Sequence, residues 1–161
     1  MRRVVAHRWV VGPLTREQAL DVCTWRYPAP YDCYDMDAAD PDELLRPELG
    51  LHALLADDRL AGFRSFGPDG RVPGYDYDDH ALDTGGGLRP ELVGRGLGRQ
   101  AISAGLAYGR DRFAPPAFRV TVASFNVRAL RTVQALGFRR VDRFDSSRDG
   151  RSFEVLVRPE R

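Results

Sequence analysis

Lysine is absent from this sequence. All 24 basic residues among its 161 are arginines. This composition excludes two kinds of site, a Schiff-base lysine and a phosphate-binding P-loop, because each depends on a lysine side chain.

Cysteine and histidine are scarce. The two cysteines, Cys23 and Cys33, have the spacing of neither a metal knuckle nor a C-x-x-C redox motif, so we expect two free thiols. The histidines, His7, His52 and His80, are dispersed along the chain without metal-ligand spacing. We therefore expect no metal cofactor.

Long apolar runs are also missing. No stretch approaches the roughly 20 apolar residues that span a bilayer. The first eight residues become charged again before a signal-peptide core is complete, so we expect a cytoplasmic protein without a membrane partner. The net charge of +1 gives no reason to expect a nucleic-acid partner. The length fits a single domain over residues 1–161, with a hydrophobic core of its own.

Hydrophobic periodicity and capping signals predict a mixed α/β domain. Thr15 with Gln18 forms a capping box, Asp40 precedes a helical proline, and Asn126 caps a later helix that Gly137 closes. The predicted strands are residues 4–11, 51–56, 60–66, 81–88, 118–123, 138–144 and 152–157, and the predicted helices are 16–25, a short one from 41, 98–113 and 127–136.

The most informative motif is Val-Gly-Arg-Gly-Leu-Gly at residues 93–98, which we call the glycine turn. A predicted strand enters it and an amphipathic helix leaves it. Alternate glycines let several backbone N–H groups point one way at a helix N-terminus, an arrangement that favours a phosphate or pyrophosphate. The spacing departs from the dinucleotide pattern G-x-G-x-x-G, because the third glycine comes one residue early.

With its surroundings, this motif resembles the coenzyme A loop of the GNAT superfamily of N-acetyltransferases, whose pattern is Q/R-x-x-G-x-G/A after an upstream proline. Pro90, Gly96 and Gly98 match it. The downstream Asn-Val-Arg-Ala at 126–129 and Leu-Gly-Phe at 136–138 match as well. The resemblance implies an α/β (α+β) acyl-coenzyme A N-acyltransferase fold, a central, mostly antiparallel sheet of about seven strands flanked by about four helices.

The resemblance also implies an enzyme that moves the acetyl group of acetyl-coenzyme A directly to an amine of a small molecule or a protein. The cofactor-binding residues it implies are Leu88, Val93, Gly94, Arg95, Gly96, Leu97, Gly98, Arg99 and Asn126. The backbone N–H near Leu88 would polarise the thioester carbonyl, where strands 81–88 and 118–123 splay apart. An N-cap role alone would also explain Asn126.

Catalytic and acceptor residues are less tightly specified. Asp83 is the first choice for the general base, ahead of Asp79 and His80. Ser124, a tyrosine of the pocket or water would protonate the departing thiolate. The acceptor would meet the aromatics of residues 25–34, although these side chains would equally serve to fill the core. These acceptor candidates are Trp25, Tyr27, Tyr31 and Tyr34.

Two positions depart from the family pattern. Val93 replaces the Gln or Arg of the loop, a position that contributes through its backbone, and Val133 replaces the tyrosine that supplies the usual general acid. Because Val133 removes the usual general acid, a sensory module that binds acyl-coenzyme A without turnover remains an alternative function. A transferase for a longer acyl group and a homodimer through the C-terminal strands also remain open.

Overall fold

The computed structural model describes residues 6–160. Its centre is a seven-stranded sheet. The strands are β1 (Trp9–Pro13), β2 (Leu51–Ala56), β3 (Arg59–Phe66), β4 (Leu82–Leu88), β5 (Ala117–Ala123), β6 (Arg139–Asp145) and β7 (Ser152–Pro159). They lie in the order β1-β2-β3-β4-β5-β7-β6, and all neighbouring strands are antiparallel except β4 and β5.

Four α-helices accompany the sheet in the described part of the chain, as the resemblance implied. They are α1 (Arg16–Thr24), α2 (Pro41–Leu44), α3 (Gly98–Phe113) and α4 (Val127–Ala135). The predicted capping box is confirmed, because the Thr15 side chain accepts from Gln18 N and the Gln18 side chain accepts from Thr15 N. None of these helices combines the length and the apolar character that crossing a membrane requires.

The two faces of the sheet carry separate hydrophobic clusters. On one face, α1 and α2 pack against β2 and β3 through Val22, Trp25, Leu44 and Phe63. The other cluster joins α3, α4 and the C-terminal strands and is centred on Leu106, Phe118, Val120, Val133, Phe138 and Leu156. Burial of both clusters fixes the positions of the helices on their strands.

The first strand differs most from the sequence prediction. Residues 4 and 5 of the predicted strand lie outside the described residues, and residues 6–8 precede the strand instead of belonging to it. Gly12 and Pro13, predicted to end the strand, are part of it and pair with Ala53 and His52. Proline is tolerated at this position because β1 is an edge strand. A backbone N–H on its outer side has no neighbouring strand to bond, so the N–H that proline lacks is not needed.

Candidate active site

The parallel strands β4 and β5 pair at only two positions, Leu82 with Phe118 and Asp83 with Arg119. Beyond Asp83, the strands separate. We call the gap between residues 84–88 and 120–123 the wedge. Five residues beyond the last pair, Leu88 on the β4 side lies opposite Ser124 on the β5 side, at the open end of the wedge. The wedge thus leads from a closed end at Asp83 toward the glycine turn, which follows β4.

The backbone of Leu88 points into the wedge. Arg89 N donates to Ala61 O of β3 at 2.7 Å. Because successive residues of a strand direct their polar groups to opposite sides, the N–H and C=O of Leu88 point away from β3. Tyr27 donates its hydroxyl proton to that carbonyl at 2.5 Å. The Leu88 N–H is therefore directed into the wedge, away from β3.

The glycine turn places positive-φ glycines at Gly94 (φ 80°) and Gly96 (φ 76°) immediately before α3. No side chain caps α3, whose first backbone hydrogen bond runs from Ala101 N to Leu97 O. A β-carbon added at Gly96 would have nothing within 4 Å. The turn thus offers open space, helix N–H groups and the positive end of the helix dipole to an anion.

Arginines surround this turn. Arg95 and Arg99 are exposed, as a phosphate contact requires. Arg128 of α4 also comes near the turn, because a β-carbon on Gly94 would lie 3.7 Å from its Nη1. Arg128 was not among the site residues predicted from the sequence. Its position directly after Asn126 and Val127 in the downstream motif was the signal that could have identified it.

The segment of residues 25–34, which we call the aromatic segment, spans the open end of the wedge. Tyr27 contacts β4 through Leu88 O, whereas the Tyr34 hydroxyl accepts from Asn126 Nδ2 at 3.2 Å on the β5 side. Phe125 packs against both Tyr31 and Tyr34, with ring centroids 5.8 and 6.2 Å away. Three of the four predicted acceptor aromatics are thereby brought together beside the wedge.

Trp25, the fourth aromatic, lies elsewhere. It is 4% exposed within the α1–α2 cluster. Its Nε1 donates to Asp21 Oδ1 at 3.0 Å, and the Arg89 guanidinium stacks on its ring at 5.0 Å. These contacts match the core-filling alternative, so the position of Trp25 gives no support to an acceptor contact.

Burial changes the chemistry of the two tyrosines at the wedge. It raises the pKa of Tyr27 to about 12, with smaller contributions from Asp35 and Glu91. It also raises the pKa of Tyr34, while the hydrogen bond from Asn126 acts in the opposite direction. Both hydroxyls therefore keep their protons at neutral pH.

Asp83 is placed differently from what a general base needs. It is 2% exposed, and both its oxygens accept from Arg119, at 2.7 and 2.8 Å, while Arg71 Nε donates to Oδ2 at 2.8 Å. The hydrogen bonds that Arg119 and Arg71 donate to Asp83 raise the pKa values of both arginines. These contacts occupy both carboxylate oxygens of Asp83, so they favour a structural role.

The other two base candidates lie outside the wedge. Asp79 is exposed and binds Arg71 Nη2 at 3.1 Å. His80 is also exposed, on the loop before β4, and its backbone N–H donates to Asp78 Oδ1. Neither residue is brought beside Leu88 or the glycine turn.

The β5 side of the wedge contributes a serine and an asparagine. Ser124 Oγ is buried without a hydrogen-bond partner in the described chain. Asn126 Oδ1 accepts from Ala129 N at 3.1 Å, so it caps α4, while its Nδ2 donates to Tyr34. Val133, in the position of the family's tyrosine, is 3% exposed within the α3–α4 cluster and presents no proton donor.

The sequence matches the model of the acetyltransferase (GNAT) family over residues 17–138. The chain belongs to this family. The match covers both the aromatic segment and the glycine turn. It confirms the resemblance inferred from the motif at residues 93–98. No curated protein matches the sequence significantly.

Solved GNAT structures share the fold at low sequence identity. A GNAT-family acetyltransferase of Bacillus anthracis is 14% identical with a TM-score of 0.68, covering 97% of both chains. A chimera of the spermidine N-acetyltransferase SpeG of Vibrio cholerae and hSSAT is 15% identical with a TM-score of 0.71, covering 94% of this chain and 95% of the other. The aminoglycoside acetyltransferase AAC(6')-Ib, solved with coenzyme A, is 14% identical with a TM-score of 0.75, covering 95% of both chains.

Proposed function

We propose that this GNAT protein transfers the acetyl group of acetyl-coenzyme A to a primary amine of a small molecule. One observation carries the proposal: the wedge, with the Leu88 N–H directed into it, leads into the glycine turn at the start of α3. A single extended ligand with a thioester at one end and phosphates at the other fits that combination.

The residues around the turn fit the coenzyme. Its pyrophosphate would accept hydrogen bonds from the N–H groups of the glycine turn and the first turn of α3. Arg95, Arg99 and Arg128 add positive charge near the turn. The remaining implied contacts are backbone groups of Val93, Gly94, Leu97 and Gly98, and the side chain of Asn126. Acetyl-coenzyme A supplies the thioester carbonyl that an amine attacks.

Within the wedge, the Leu88 N–H would hold the negative charge that develops on the carbonyl oxygen. Ser124 Oγ, which is buried and has no hydrogen-bond partner, would donate to the departing thiolate. With Asp83 engaged by two arginines, water would carry the amine proton to solvent. A thiolate is a good enough leaving group for this arrangement to work without the tyrosine that Val133 replaces.

The aromatic segment would form the acceptor side. Tyr27, Tyr31 and Tyr34 flank the open end of the wedge, and Asp32 is exposed on the same segment. Aromatic faces and a carboxylate attract a cationic amine. Two of the similar structures are named for spermidine and aminoglycoside acetylation, which makes polyamines and aminoglycosides the first acceptors to examine.

The test is release of free coenzyme A thiol from acetyl-coenzyme A in the presence of a polyamine, an aminoglycoside or an N-terminal peptide. Thiol release that requires one of the small amines, with a matching mass increase of that amine, would support the proposal. Release of the thiol with the peptide alone would indicate that the acceptor is an amine of a protein. Binding of acetyl-coenzyme A without transfer to any amine would contradict the proposal and favour a sensory module.

A further inference from the structure

Arg64 is the most unusual charged residue in the described chain. It extends from β3 on the α3 face of the sheet and is 6% exposed. Among the described residues, its Nε has no hydrogen-bond partner and its one side-chain hydrogen bond is a long one, from Nη2 to Thr84 Oγ1 at 3.5 Å. None of the carboxylates in residues 6–160 forms an ion pair with it. Arginine cannot shed its proton, so this charge is buried nearly uncompensated.

Two glycines make room for this guanidinium. A β-carbon at Gly105 of α3 would lie 2.8 Å from Arg64 Nε, and its three nearest atoms would all belong to Arg64. A β-carbon at Gly86 of β4 would lie 2.8 Å from Arg64 Nη1. The guanidinium is therefore held between α3 and β4, and the chain is shaped to keep it there.

The guanidinium lies beside the part of β4 that borders the narrow end of the wedge. Its neighbours Thr84 and Gly86 belong to the first part of β4 that no longer pairs with β5, since the last pair is Asp83 with Arg119. A ligand that enters from the glycine turn and runs along β4 reaches this end with the group furthest from its phosphates. In an acyl-coenzyme A, that group is the far end of the acyl chain.

We propose that Arg64 binds a terminal carboxylate on the acyl chain of the donor, so that the protein accepts the coenzyme A thioester of a short dicarboxylic acid in addition to acetyl-coenzyme A. This inference rests on the proposed function, because it places the donor in the wedge. A guanidinium matches a carboxylate with two parallel hydrogen bonds. An acetyl group, by contrast, leaves the charge unpaired.

The spacing selects the length of the diacid. Gly86 and Leu88 are two strand residues apart, which is about 7 Å. A four-carbon diacid extends about 5 Å from its thioester carbon to its carboxylate oxygen. A charge-assisted hydrogen bond adds about 2.8 Å. Succinyl-coenzyme A is therefore long enough to bring its carboxylate from the Leu88 N–H to the level of Gly86, beside Arg64.

The test is calorimetric titration of the protein with succinyl-, butyryl- and acetyl-coenzyme A and with coenzyme A. Butyryl-coenzyme A is the matched control, since it has the same number of acyl carbons without the carboxylate. We expect succinyl-coenzyme A to bind about tenfold or more tighter than butyryl-coenzyme A. The Arg64→Met variant is expected to lose that preference and to bind acetyl-coenzyme A within about threefold of the wild type.

Thermal unfolding adds a readout independent of catalysis. Removing an unpaired buried charge should leave the melting temperature of Arg64→Met without ligand equal to or above that of the wild type. If Arg64→Met does not fold, Arg64→Gln serves instead, and the wild-type comparison of succinyl with butyryl needs no variant.

Equal binding of succinyl- and butyryl-coenzyme A by a wild type that binds acetyl-coenzyme A would overturn this inference and leave the proposed function standing. Failure of all four ligands to bind would overturn both. A preference for succinyl-coenzyme A that Arg64→Met retains would assign the carboxylate to another residue.

Discussion

Asp83 and Arg119 pair at the last position where β4 and β5 are joined, with both side chains buried and two hydrogen bonds of 2.7 and 2.8 Å between them. The pair therefore lies where the wedge begins. Together with Arg71 and Asp78, which bind the same two residues, it holds the strands together immediately before they separate.

Asp83→Asn should destabilise the fold by about 3 kcal/mol, because it leaves the buried Arg119 guanidinium without its buried carboxylate partner and weakens the contact with the partly exposed Arg71. Chemical denaturation measures this loss. The matched control is Asp69→Asn, on the loop before β4, whose carboxylate takes part in none of the recorded ion pairs. A folded Asp83→Asn protein of wild-type stability, whose turnover has lost its dependence on pH, would instead identify Asp83 as the general base.

Tyr27→Phe removes the hydrogen bond to Leu88 O and should cost about 1 kcal/mol of stability at neutral pH. Because the pKa of Tyr27 is raised to about 12 from 10.0, the unfolded chain ionises first. The stability it adds is fully present below pH 10 and is lost as pH rises toward 12. Denaturation across that range should show a steeper alkaline loss for the wild type than for the variant. Equal slopes would contradict the assignment.

Ser124→Ala should separate stability from turnover. Since Ser124 Oγ is buried without a partner, its removal should leave the unfolding free energy unchanged or slightly higher. If the hydroxyl donates to the departing thiolate, kcat should fall about tenfold while binding of acetyl-coenzyme A is retained. An unchanged kcat in the folded variant would remove Ser124 from the mechanism.

Asn126 has two roles that a pair of variants can distinguish. Asn126→Asp keeps an oxygen to cap Ala129 N but loses the amide donor to Tyr34, whereas Asn126→Ala loses both. We expect about 1 kcal/mol of destabilisation from Asn126→Ala only. Both variants should raise the KM for acetyl-coenzyme A if the amide contacts the cofactor. Wild-type kinetics in Asn126→Asp would leave Asn126 as a cap alone.

The glycine turn and most of the secondary structure were predictable because their signals are local. The helix predicted over residues 98–113 has those bounds in the structure, and the caps at Thr15 and Asn126 are formed by the expected atoms. Alternation, capping and glycine conformation depend on neighbours within a few residues, which the sequence displays directly.

The contacts that decide the chemistry depend on residues far apart in sequence. From the sequence alone, Asp83 is a strand carboxylate without an evident partner, because Arg119, which binds it in the structure, is 36 residues later. Nothing in the sequence distinguishes Arg64 from the other arginines, because Gly86 and Gly105, which enclose it in the structure, are distant in sequence. Such pairings follow from strand order and helix packing, and a single sequence gives no local signal for them.

Titration calorimetry with acetyl-coenzyme A on the wild type, Gly96→Glu and Gly150→Glu determines whether the glycine turn binds the cofactor. Gly96 (φ +76°) and Gly150 (φ +74°) have the same backbone conformation and nothing within 4 Å of an added β-carbon, so the strain is matched. We expect Gly96→Glu alone to weaken binding by about a hundredfold or more, because its carboxylate meets the pyrophosphate. Equal binding by all three proteins, or none by a folded wild type, would contradict this expectation.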